Sequence, residues 1–231
     1  MTIAPSVVST ALYLIVFGML VGQRVGSVGG FTYKQYIAPG LIVMPIIAAS
    51  YSHAALSFFI AKLHKILDEH LISPLPSWMI VVSYVAGAAI RGILVGVSVA
   101  IVVLPFAHTY VQHPALMAAT MLLTSLLFSL AGFINGVFVR TFDQANWVPL
   151  FVLTPLTYFG GVFYSLAILP TWAQDLSLAN PIFYVVNLAR YCLLGVSEVH
   201  VGIAVSIMLL VAVTMLAVAA MLVRHGVGIR E

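Results

Sequence analysis

Six apolar runs, each near the length a helix needs to cross a bilayer, constrain this chain more than any other feature. They cover residues 3–21, 36–60, 79–104, 115–138, 147–166 and 201–223. A spanning helix takes about 20 mostly apolar residues to cover about 30 Å of hydrocarbon. Inside that layer only helices and closed barrels satisfy every backbone N–H and C=O. The whole chain agrees with this reading, since 63% of its residues are apolar and only 6% are charged. A soluble domain carries roughly a quarter charged residues, so a water-facing enzyme core, a disordered segment and a nucleic-acid-binding module are excluded. The formal charge of +3 is too small to form a basic patch, and a single cysteine, Cys192, excludes an intrachain disulfide or a cysteine metal cage. The expected fold is an all-α integral membrane protein with six transmembrane helices. Short loops and the absence of a visible repeat make residues 1–231 one domain.

The first run could pass for a secretory signal. Its leader lacks Lys and Arg and the run is longer than a signal core, so it is expected to remain as a membrane helix. Orientation follows from the loop cations, which collect on the cytoplasmic side. With both termini cytoplasmic, Lys62, Lys65, Arg140, Arg224 and Arg230 lie inside, against Arg24, Lys34 and Arg190 outside. The majority is inside, which places both termini in the cytoplasm. The small-residue pairs Gly18/Gly22, Gly92/Gly96 and Gly132/Gly136 let helices approach closely and are read as packing sites within the bundle.

The few charges are informative. Lys62, Lys65, Asp68 and Glu69 form the densest cluster, with Leu63, Ile66, Leu67 and Leu71 on a helical stripe beside them. That pattern describes a short amphipathic helix on the inner membrane surface, stopped by Pro74 and Pro76. It is either a solvated turn or a docking element for a cytoplasmic partner. Arg91 falls inside the third run. It sits either near mid-membrane, at a cost of about 2.5–3.5 kcal/mol on insertion scales, or at the inner headgroups by snorkelling. Neither His108 with His113 nor His64 with His70 has the i, i+4 spacing of a metal pair, so no metal site is expected. A phosphate-binding loop is missing too, so the chain is not expected to be an enzyme or to bind ATP itself.

The fifth run is irregular, with Pro149, Pro155, Gly160 and Gly161 in one span. The backbone groups this leaves over must be satisfied inside protein or at a wet cavity. Thr154 and Tyr158 share a helical face one turn apart, with Thr157 beside them, and are the candidate lining of a route. Asn180 as N-cap, Pro181 at the first helical position and Gly195 past the end delimit a half-length helix. Too short to span, it reads as a re-entrant or interfacial helix carrying Arg190 on the outer side. A broken span followed by such a helix describes either a lid over a route or a kinked packing helix.

Taken in order, these stretches resemble the permease subunit of ABC-2 type exporters, a bacterial family that includes nodulation-factor, daunorubicin-type and polysaccharide permeases. The matching segments are YIAPGL at 36–41, DEHLISPLP at 68–76, FSLAGFINGVF at 128–138, LTPLTYFGGVFYS at 153–165, and 180–195. The resemblance implies an inner-membrane homodimer of permeases above two ATP-binding subunits. ATP and magnesium would sit on those partners, with no cofactor on this chain. It makes 63–71 the coupling helix seated in the ATPase, and it makes 168–194 the cap of the pathway. Hydroxyl-lined apolar segments suit a drug, a lipid or a lipid-linked glycan. Such permeases usually begin with an amphipathic surface helix, whereas here the first span begins almost at Met1, so the start is expected to be truncated or the helix absent. A secondary transporter or channel would need intramembrane carboxylates or repeat symmetry, and neither is visible. A non-transporting membrane scaffold is the other alternative.

Overall fold

A computed structural model describes residues 3–64 and 77–226. The described residues are mostly helical, and among them five helices are long and apolar enough to cross a membrane. The first, α1 (Ile3–Val25), is wound with wide π turns over Leu14–Val21. A two-stranded hairpin follows, β1 (Ser27–Val28) against β2 (Phe31–Thr32). Its turn is Gly29-Gly30, both at positive φ, which is the backbone a tight two-residue hairpin demands. Thr32 and Gln35 then form a capping box that starts α2 (Tyr33–Leu63). Next come α3 (Ser77–Ala107) and α4 (Pro114–Phe138), the latter opened by a proline at its first position.

The expected fifth span, 147–166, is not among these five. The helix here, α5, covers residues 142–158 in three joined pieces, the middle one (Pro149–Leu153) wound wide. It begins earlier than expected because Thr141 and Gln144 cap it: the Gln144 N–H donates to the Thr141 hydroxyl at 3.3 Å, and the Arg140 N–H donates to the Gln144 side-chain carbonyl at 2.9 Å. It ends earlier because Gly161 takes φ +73°, a left-handed turn that stops the helix. After it come α6 (Thr171–Leu178), α7 (Pro181–Leu194) and α8 (Val201–Arg224).

Long helices alternate in direction, which gives the bundle two distinct ends. One carries the N-terminal residues, Leu63, Ser77, Phe138 and Arg224, and is called the terminus end below. The other, the cap end, carries the hairpin, residues 108–113 and residues 159–200. Bonds tie the cap end together, such as the Gln112 N–H to the Cys192 carbonyl at 2.9 Å and the Tyr33 hydroxyl to the Phe163 carbonyl at 3.0 Å.

α2 is the central helix, packed against α3, α4 and α7. Two glycine pairs account for this. A Cβ on Gly92 would overlap the Ser50 hydroxyl, and one on Gly132 would overlap the Tyr51 carbonyl. Gly96 and Gly136 meet Ile46 and the Ala55 carbonyl in the same way. These glycines let the backbones of α3 and α4 close onto α2, as the spacing predicts. Gly18 and Gly22 in α1 are looser, with a Cβ still 3.3 and 3.5 Å from its nearest neighbours. Burial follows the same gradient: 61% of the apolar window of α2 is buried, but only 17% of α1 and 11% of α8. The outward residues of α1 and α8 are Leu, Val, Ile and Met, which is a lipid-facing inventory.

Candidate functional site: a furrow along α2 beneath a buried polar hub

One face of α2 is left uncovered. Met44, Ala48, Ser52, Leu56 and Ile60 follow one another at one-turn spacing and line a succession of recesses. The recess toward the terminus end, about 520 Å³, is closed by Pro5 and Ser6 of α1 and by Arg91 of α3. A second, about 270 Å³, runs between α1 and α2 past Thr10 and Tyr13. The third, about 390 Å³, lies between α2, Tyr13 and α5. Adjoining recesses share walls: Pro5, Ser6 and Ala48 belong to the first two, and Tyr13, Met44 and Ala48 to the last two. Together they form one continuous furrow, kept open at its middle by the small side chains of Ala48, Ala49 and Ser52.

Thr154, Thr157 and Tyr158 all line the third recess. Their hydroxyls have a local task as well. The Thr154 hydroxyl donates to the Pro149 carbonyl at 2.9 Å, and the Thr157 hydroxyl donates to the Leu153 carbonyl at 2.6 Å. Both are bonds back to the preceding turn of the same helix, and the Pro149 carbonyl also accepts the Thr154 N–H. Each hydroxyl oxygen still has lone pairs to offer the furrow. Tyr13 and Tyr158 both line this recess.

Above the furrow, α7 is not a surface lid. Nearly all its residues are buried, against α2, α4 and α8. Its caps are those expected: the Ile182 N–H donates to the Asn180 side chain at 3.0 Å, Pro181 occupies the first turn, and Gly195 closes the helix at φ +71°. The Asn180 amide also donates to the Leu156 carbonyl at 2.6 Å, which ties α7 to the last turn of α5.

Arg190 is the surprise. Expected among the outer-loop charges, it is 1% exposed. Its Nη2 donates to the Gly161 carbonyl at 2.6 Å, its Nη1 lies 3.7 Å from Glu198, and its guanidinium stacks 4.1 Å over the Tyr36 ring. Glu198 completes the hub, accepting from the Tyr36 hydroxyl at 3.1 Å and the Leu166 N–H at 3.0 Å. The Glu198 N–H in turn donates to the Asn187 side chain at 2.9 Å. The turn after α5, the buried face of α7, the loop before α8 and the start of α2 therefore meet at one ion pair. Val162 in that turn presses on Gly40, where a Cβ would stand 2.6 Å from its methyl group.

Of the docking cluster, Lys65, Asp68 and Glu69 lie outside the described residues. Lys62 is described, and its ammonium donates to the Val137 carbonyl at 2.8 Å, closing the carbonyl end of α4. Among the described residues no group of three or more His, Cys, Asp or Glu could hold a metal. Sequence reasoning missed Tyr36 and Glu198. Glu198 was the available signal, as the lone carboxylate in a short loop beside an arginine-bearing apolar helix.

Comparison with known proteins agrees with the geometry. The chain is 43% identical over 230 residues to the inner membrane transport permease YadH of Escherichia coli K12, covering all of this chain and 90% of that protein. It is 23% identical over 215 residues to nodulation protein J of Rhizobium leguminosarum bv. viciae, covering 93% of this chain and 83% of the relative. Residues 1–194, from α1 through α7, match the ABC-2 type transporter family. A transport permease whose described residues include five long apolar helices, the chain belongs to the ABC-2 type transporter family.

Proposed function

We propose that this chain is the membrane-spanning permease subunit of an ATP-driven exporter in a bacterial inner membrane, and that its substrate travels along the α2 furrow. The furrow is the observation that carries this reading. It runs most of the length of a spanning helix, its walls mix apolar side chains with hydroxyls, and irregular backbone borders it where a wet cavity is needed. The inner-membrane setting is supported by the 43% identity to YadH.

In this reading α5 is the sixth span, thinned at its outer end, and α6 and α7 enter the outer leaflet as re-entrant helices held by the Arg190 hub. Both termini are cytoplasmic. An open furrow on one chain becomes an enclosed path when a second copy faces it, which supports a homodimer. ATP and magnesium are held by a separate ATP-binding subunit, and residues 62–70 dock it. The substrate is a hydrophobic or amphiphilic molecule, of the class of drugs, lipids or lipid-linked glycans.

Filling the furrow at Ala48, which all three recesses share, tests this. With the cognate ATP-binding subunit co-expressed, Ala48→Trp should abolish efflux of two unlike fluorescent amphiphiles while the two subunits still co-purify. Reversing Asp68 and Glu69 to Lys should leave the permease in the membrane and lose the co-purification. Undiminished efflux by the Ala48→Trp variant would show that the substrate goes another way.

A further inference from the structure

We propose that the terminus-end recess of the furrow binds the anionic head group of an amphiphile, with Arg91 as its counter-charge. The proposal rests on the furrow being the substrate path, and it names the substrate class. Four observations converge on it.

Arg91 is the one formal charge in the interior of the five long helices. Every other Lys or Arg on them, namely Arg24, Lys34, Lys62 and Arg224, stands within two residues of a helix end. It is the fifteenth residue of a 31-residue helix, so it sits near the middle of the helix rather than at either end. Charged side chains within spanning helices mark pathways and binding sites, because nothing in packing alone favours them.

The second observation is where the guanidinium is held. Gly92 brings α3 onto α2 at Ser50, which sets the neighbouring Arg91 beside the uncovered face of α2. There it lines the recess with His53, Ser52 and Ser57, and the His53 ring meets the Ser57 hydroxyl at 3.2 Å. Third, no Asp or Glu is among the described residues that line the recess. Guanidinium offers forked donors that match phosphate or carboxylate oxygens, and a surrounding of low dielectric strengthens that pairing.

The last observation concerns shape. At about 520 Å³ the recess has the size of a small-molecule site, and Leu56 and Ile60 continue it as an apolar wall. A charged group at one point with apolar surface leading away describes an amphiphile, not a free ion. A cationic amphiphile would meet a like charge, and a neutral one would have no use for Arg91.

The test is equilibrium binding of radiolabelled dodecyl phosphate to the full chain in nanodiscs of zwitterionic lipid. The wild type should bind it in preference to dodecyl maltoside. Arg91→Gln should weaken binding at least tenfold, Arg91→Lys should keep most of it, and inorganic phosphate at millimolar concentration should not displace the label. Ser57→Trp fills the recess without touching the charge and should abolish binding too, which guards against a folding defect in the arginine variants. Equal binding by wild type and Arg91→Gln overturns the proposal, as does displacement by inorganic phosphate, which would make this a free-anion site. Its failure is separable from that of the exporter reading. Lost head-group binding with efflux still blocked by Ala48→Trp removes only the Arg91 site. Intact dodecyl phosphate binding with efflux indifferent to Ala48→Trp removes only the path.

Discussion

The two halves of the α5–α2 wall are built on opposite principles. At the cap end, buried Arg190 donates to the Gly161 carbonyl and lies 3.7 Å from Glu198, a half-buried carboxylate that accepts from the Tyr36 hydroxyl. Along the furrow the same helix α2 presents Ala48, Ser52 and Leu56 to open space, and the polar groups of α5 are turned onto their own backbone. A buried ion pair tolerates little displacement, because each charge left alone costs several kcal/mol. A furrow of small apolar residues tolerates much. The contrast separates a rigid cap from a permissive furrow, and it predicts that mutations at the two ends will fail in different ways: stability at the cap, selectivity in the furrow.

The largest effect should come from Arg190→Ala. Removing one member of a buried pair costs about 3–5 kcal/mol, so the purified protein should melt well below the wild type. Arg190→Met combined with Glu198→Gln should recover part of the loss, since neither charge is then stranded. A wild-type melting curve for Arg190→Ala would erase the distinction between the ends. Next in size is Gly132→Ala, where the new methyl overlaps the Tyr51 carbonyl. Overpacking of this kind costs about 1–3 kcal/mol. Gly87→Ala is the control, because a Cβ there meets nothing within 4 Å, and it should gain up to about 1 kcal/mol in helix propensity. Thermal unfolding of the pair in detergent reads both signs.

The furrow variants should show the reverse pattern. Ala48 is exposed, so Ala48→Trp should change stability by no more than about 0.5 kcal/mol while efflux is lost. The smallest stability effect belongs to Thr154→Val. An interhelical side-chain hydrogen bond in a membrane protein averages about 0.6 kcal/mol, and this intrahelical one should cost no more. Its consequence should appear instead as a changed ratio of efflux for two unlike substrates. An unchanged ratio with both rates lowered in proportion would reduce Thr154 to a packing residue and blur the comparison.

Much of this molecule is legible in its sequence, for identifiable reasons. α2, α3, α4 and α8 announce themselves because a membrane helix is a long uninterrupted apolar run, and their bounds fall within three residues of those expected. The α7 caps were readable because Asn180, Pro181 and Gly195 act locally. The start of α5 was equally local, a capping box at Thr141 and Gln144, but the apolar run hid it by beginning later at Trp147. What could not be read is long-range. Tyr36 and Glu198 are 162 positions apart, and no local pattern pairs them. The furrow was hidden for a different reason: every fourth residue of α2 looks like any other helix stripe, and only its neighbours reveal which stripe they leave uncovered. Thr154, Thr157 and Tyr158 stood out because backbone irregularity is itself a local signal, and they line the third recess.

The position of α2 has a mechanical consequence. Tyr36 lies in its first turn, inside the Arg190 hub, and Lys62 lies in its last, bonded to the end of α4. At 1.5 Å per residue the 31 residues between its ends make a rod about 46 Å long. The glycine crossings press α3 and α4 against its flanks. Axial travel or tilt imposed at Leu63 must therefore appear at the hub, except for whatever bending Pro39 and Pro45 absorb. One helix thus joins the two ends of the bundle, and the two prolines set how much of any displacement is lost on the way.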